Sequence, residues 1–448
     1  MKKLTAILLS AVLMLTLAAC SSEEENEAAK TDTDAVVETT EPVTQETTEP
    51  VTLPVTDPVG DEVFTGVTVA DNKYCKIEVT GIKEDFLGKT LTVAVENKTD
   101  DMTLTFSTKA CSINGVSVDT VYSEDVTAGN KSVGSVTFFD ETLRENGITK
   151  YTDIEITFCV YDSENWIDDA LVSETVNIYP FGKNNVELYV REPKTTDTTV
   201  FNTDKASATV TGISKDEIFG TSVDLYLENK STDTDYTFSV AFCAVNGVEI
   251  SVLGAFTVPA GKVALDCFYL SDTILEENGI TDYKDIYFTL RAYDTDSWDS
   301  EDIASQSVHI YPYGEDKAVP FTREAKDTDT VIADNEQLTV IITGMSEDDI
   351  FSSHDLDFYF INKTDKEIMF TMDDVSVNGN MLDPLFATTV QPGLSKFNSA
   401  SWYDDDLSEN NIKSIESIEF TMVAYFAGEW DAEDIINEKI TYSPATAE

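Results

Sequence analysis

The feature that most constrains this chain is that it repeats itself. Thr80-Gly81-Ile82 returns as Thr211-Gly212-Ile213 and again as Thr343-Gly344-Met345, a spacing of about 132 residues. Asn97-Lys98-Thr99 returns as Asn229-Lys230-Ser231 and Asn362-Lys363-Thr364. Asn114-Gly115, Asn246-Gly247 and Asn378-Gly379 keep the same register, as do Gly129, Gly261 and Gly393. A solenoid unit is about 20–50 residues long, so this period matches a whole domain.

Each unit reads as all-β. Leu91, Val93 and Val95 alternate with polar or small residues, as do Val223, Leu225 and Leu227, and Leu356, Phe358 and Phe360. A period of two places the apolar set on one face of a strand. A second strand carries Ile154, Ile156, Phe158 and Val160, with Ile286, Phe288, Leu290 and Ala292, and Ile418, Phe420, Met422 and Ala424, as its copies. A third carries Cys75, Ile77 and Val79, with Ala206, Ala208 and Val210, and Leu338, Val340 and Ile342. Asn-Gly pairs supply the positive φ angles of tight hairpins. The stretch around Glu145-Asn146-Gly147 predicts one short helical turn ended by Gly, with Asn411 in that place in the third copy. About seven or eight short strands per unit, with almost no helix, predict two antiparallel sheets packed face to face. Tyr189-Val190-Arg191-Glu192 and Phe321-Thr322-Arg323-Glu324 precede Thr/Asp-rich pieces and predict ordered junctions. The expected organisation is repeat one over 61–183, repeat two over 184–315 and repeat three over 316–448.

The N-terminus is different material. Lys2 and Lys3 precede an apolar run from Leu4 to Ala19, the form of a signal peptide over 1–20. Leu17-Ala18-Ala19-Cys20 resembles the lipobox of bacterial lipoproteins, which implies a lipidated Cys20 and an anchor in the outer face of the cell membrane. Residues 21–60 are rich in Thr, Glu, Val and Pro and show no apolar period. Such a segment has too little apolar surface to offset the entropy of folding, so it is expected to be a disordered acidic tether. Its extended reach is on the order of 120 Å at about 3.1 Å per residue.

With the lipobox and tether in place, Glu96-Asn97-Lys98-Thr99 and Val245-Asn246-Gly247-Val248 carry a wider resemblance. The repeats resemble the tandem immunoglobulin-like domains of Gram-positive-type bacterial surface lipoproteins, families largely without an assigned function. The Cys–Trp–Cys core of antibody domains is missing, so the resemblance implies the sandwich shape alone.

The 29 Lys+Arg stand against 84 Asp+Glu, a net charge of −55. Nucleic acid demands a basic footprint, so it is excluded as a partner. Acidic loops recur at Asp162-Ser163-Glu164-Asn165-Trp166-Ile167-Asp168-Asp169, at Asp294-Thr295-Asp296-Ser297-Trp298-Asp299-Ser300-Glu301-Asp302, and at Glu429-Trp430-Asp431-Ala432-Glu433-Asp434. Calcium takes six to eight oxygens. Asp162, Glu164, Asp168, Asp294, Asp296, Asp299 and Glu301 are therefore its candidate ligands, beside the blander reading of a solvated surface. No other cofactor is implied. Trp166, Trp298 and Trp430 are candidate ligand-stacking residues, with packing over a sandwich edge as the alternative.

Five cysteines follow Cys20, an odd number shared unequally among the copies, which is no disulfide framework, although a Cys243–Cys267 bridge stays open. His309 and His354 do not recur between copies, and neither joins a catalytic constellation. The expectation is a non-enzymatic surface module that binds an extracellular protein or glycan. A structural spacer is the second reading, and an enzyme with paired carboxylates a distant third.

Overall fold

The computed structural model describes residues 64–444 apart from 86–87, 166–169, 217–218, 271, 298–300, 349 and 430–432. The described chain is all-β, built from mainly antiparallel sheets packed as sandwiches, with one short α-helix per copy at Glu141–Glu145, Asp272–Glu277 and Asp404–Glu409 and short 3-10 turns at Lys183–Asn185 and Glu315–Lys317. The alternating sets form strands as their period requires. Leu91, Val93 and Val95 lie on the buried face of Gly88–Asn97, and Ile154, Ile156, Phe158 and Val160 on that of Ile154–Asp162. Three hydrophobic cores result, spanning residues 70–178, 200–292 and 338–436. Cys75, Cys111, Cys159, Cys243 and Cys267 are all free thiols. Burial pushes the Cys75 thiol up to about 11, the behaviour of an inert core residue.

The recurring motifs fasten the sandwiches. Asn114 (φ 52°) and Gly115 (φ 83°) make the primed turn that matches strand twist. The Asn114 side chain donates to the Lys150 carbonyl and accepts from the Thr152 and Asp153 amides. Asn246 and Asn378 make the equivalent bonds to 282–285 and 414–417. Asn97 ends its strand fully buried. Its Nδ2 donates to the carbonyls of Met102 and Val126, and its Oδ1 accepts from the Thr99 amide. Asn229 and Asn362 repeat this pattern.

The sheets do not stop at the repeats. The edge strand Val116–Ser117 of the first copy runs parallel to Val263–Tyr269 of the second, pairing Val116 with Val263. One nine-stranded sheet therefore runs from Val172–Ile178 through both copies to Thr198–Asn202. A second begins at Ala304–Ile310, crosses where Val248 pairs with Ser395, and ends at Thr330–Asp334. The connecting chain is ordered beside each crossing. The Tyr189 amide donates to the Asn114 carbonyl at 2.8 Å and the Phe321 amide to that of Asn246 at 2.7 Å. Arg191 grips Asp197 with two bonds of 2.7 Å, and Arg323 grips Asp329 in the same way. Part-buried Arg–carboxylate forks of this kind fix geometry as well as charge.

Candidate functional site: a groove at the second junction

The two junctions share a clamp and a strand pairing but differ at the residues around them. At the first, Lys262 Nζ reaches Glu155 at 3.1 Å and Lys150 Nζ reaches Glu187 at 3.7 Å. At the second, the positions of Lys262 and Glu155 hold Leu394 and Tyr287, and those of Lys150 and Glu187 hold Asp282 and Val319. Neither pair can form. A groove of about 520 Å³ lies there.

Its walls come from three places. The connecting chain supplies Ala318, Val319, Pro320, Phe321 and Ala325. The outer face of the third repeat's first sheet supplies Ile341, Tyr359 and Ile361. The turns supply Asn246, Gly247, Gly393, Leu394 and Ser395. The equivalents of Ile341 and Ile361 at the first junction are Thr209 and Glu228. Glu228 there accepts a hydrogen bond from Ser207. The second junction has thus exchanged polar residues for aliphatic ones along the groove.

Two charged side chains line it. Arg323 is neutralised by Asp329, whose carboxyl it holds below the usual range. Asp285 is the other, and it meets His309 Nδ1 at 2.8 Å. His309 lies between Tyr287 (4.2 Å between ring centres) and Tyr311 (5.6 Å), nearly parallel to both. Phe242 meets Tyr287 edge-on at 5.5 Å. The first copy has Ala110, Glu155 and Asn177 in place of Phe242, Tyr287 and His309. An aromatic ladder therefore adjoins the aliphatic groove through Asp285. A second cavity of similar size, beside Asp404–Glu409, is of mixed character, with His354, Asp404, Lys413 and Ser414 among Leu407 and Ile412.

Part of the acidic-loop prediction lies on described residues. Asp162 accepts from the Glu164 amide and the Asn165 side chain, and Asp294 accepts from the Asp296 amide, so both carboxylates close their own turns. Asp296 also faces Lys109 at 3.4 Å, and Glu301 is exposed. Among the described residues no three His, Cys, Asp or Glu side chains come together as a metal site. Cys20, Trp166, Asp168, Trp298, Asp299 and Trp430 lie outside the described residues. Among the described residues no helix is long and apolar enough to cross a membrane.

The groove has no motif that sequence reading could find. Its signal is a difference between copies at matched positions, Leu394 against Lys262 and Ile361 against Glu228. A scan against protein-family models and a search of curated proteins found no match.

Proposed function

We propose that this chain is a non-enzymatic surface lipoprotein, anchored through Cys20, whose immunoglobulin-like repeats bind an extracellular protein or glycan. The observation that carries the reading is the second junction. A chain of net charge −55 lines a groove there with aliphatic residues, at positions whose first-junction counterparts are ion-paired Lys and Glu. Exposed apolar surface is costly, and a concave apolar patch with few polar groups is where ligands bind.

The continuous sheets favour a second reading, a stiff spacer without a ligand. The two part on one experiment. Residues 61–448 are screened against envelope proteins and a glycan array, beside a variant carrying Tyr287→Glu and Leu394→Lys. A saturable ligand lost in the variant supports the binding module. Biological activity that survives replacement of all three repeats by unrelated sandwiches supports the spacer.

A further inference from the structure

We infer that the groove at the second junction holds an aliphatic segment of a protein partner flanked by a basic residue. This rests on the reading of the groove as a binding site and names what fills it.

The wall chemistry selects the class. Ile341, Ile361, Leu394, Val319 and Pro320 offer no side-chain hydrogen-bonding groups. A sugar would bring hydroxyls that these aliphatic walls leave unpaired, and a buried unpaired polar group is disfavoured. Sugars also stack on free ring faces, and here the faces are turned to one another. His309 sits between Tyr287 and Tyr311, and Tyr359 packs against Phe397 at 4.6 Å. Branched aliphatic walls instead match branched aliphatic side chains, and about 520 Å³ accommodates a few of them.

Charge gives the flank. Arg323 is bound on both nitrogens by Asp329, so its charge is already balanced. Asp285 is the other charged side chain of the lining, and the partner it meets is the His309 ring rather than a lysine or arginine. The first junction has a lysine, Lys262, near the matching Asp153, whereas the second has Leu394. A partner's Lys or Arg beside its aliphatic side chains restores the missing cation. The surrounding chain, at −55, attracts the same sign and repels an acidic partner or a second copy.

The test pans a phage-displayed library of random twelve-residue peptides on the full-length protein. It runs in parallel on the Tyr287→Glu/Leu394→Lys double variant and on Ile361→Glu. These substitutions install residues that the first junction already carries, and circular dichroism melts check that each variant folds. The expected result is enrichment of peptides with two or more aliphatic residues next to Lys or Arg. Their affinity should fall at least tenfold on both variants and stay unchanged on Lys109→Ala, outside the groove. Peptides that bind the variants as well as the native protein overturn the inference, while a binding module working elsewhere survives. Enrichment of acidic peptides overturns the charge argument. A glycan array hit or oleate binding that is lost in the variants overturns the peptide class and keeps the groove as a site. No binding of peptide, glycan or oleate overturns the inference and the binding reading together.

Discussion

Asn97, Asn229 and Asn362 show how much one buried amide can hold. Each donates to two carbonyls from separate loops and accepts from the amide two residues on. Alanine at Asn97 strands the Val126 carbonyl and removes one of the two side-chain donors to that of Met102. The expected loss is about 2–4 kcal/mol, read as a lower urea midpoint. Asp266 is a residue of the opposite kind. It lies on the inward side of Val263–Tyr269 between Ala264 and Phe268, and its Oδ1 accepts from the Cys267 amide. Burial, with a smaller contribution from the Asp119 carboxylate, pushes its carboxyl up to about 7. The folded value exceeds the unfolded one, so the proton favours folding. This contribution is full below about pH 3.8 and is lost as pH rises through 7. Asp266→Asn, the residue the third copy carries as Asn398, should flatten that dependence and raise stability at pH 8 by up to about 4 kcal/mol. Thermal midpoints at pH 5 and pH 8 decide it; equal slopes in both proteins would discard the assignment.

The junction clamp argues at the scale of an element. Arg191 and Arg323 each close a six-residue loop onto an aspartate that also accepts from the Lys194 or Lys326 amide. Arg323→Ala leaves Asp329 largely buried without its cation, at a cost of about 3–5 kcal/mol. Faster amide exchange over 318–329, with the core strand Ile418–Phe426 unchanged, is the expected signature. The first clamp adds an acid limb. Arg191 holds the Asp197 carboxyl down to about 2, so its contribution is present above about pH 3.8 and fades as pH falls through 2. Asp197→Asn should lose that limb in an acid titration. How much of this was legible follows from what each element needs locally. Alternating triplets such as Leu91, Val93 and Val95 disclose strands because pleat and side-chain direction share a period of two. Asn114-Gly115 discloses a hairpin because few pairs take two positive φ angles. The Arg–Asp forks recur in the sequence, but their pairing needs the loop geometry. The parallel crossing of Val116 and Val263 has no local mark, since two residues of edge strand carry no period. The groove was illegible for a further reason. Looking for sameness finds the repeats, and the groove is made of positions where the copies disagree.

At the scale of the whole described chain, the crossings make each core depend on its neighbour. Val263 and Leu265 belong to a strand of the second repeat, yet both pack against the first repeat's core. Phe397 of the third repeat packs against the second core in the same way and meets Phe321 at 6.2 Å. Stability in such an array is a sum of unit terms and interface terms between neighbours. The outermost copies mark where the series ends. Val133, the first-copy counterpart of Leu265, is 70 % exposed, and Asn380 stands where Val116 and Val248 are buried. Leu265→Asp therefore tests coupling rather than a single core. It places a charge against the first core from a strand held by the second, a change disfavoured by several kcal/mol. Hydrogen exchange should show protection falling together in Leu104–Ile113 of the first repeat and Gly220–Asn229 of the second. Ile418–Phe426 of the third repeat, separated from the substitution by an intact crossing, should keep its protection. A loss confined to Gly220–Asn229 would mean that the repeats fold independently despite their shared sheets. The groove at the second junction would then sit on a hinge, since only coupled neighbours hold Leu394 and Val319 at a fixed separation.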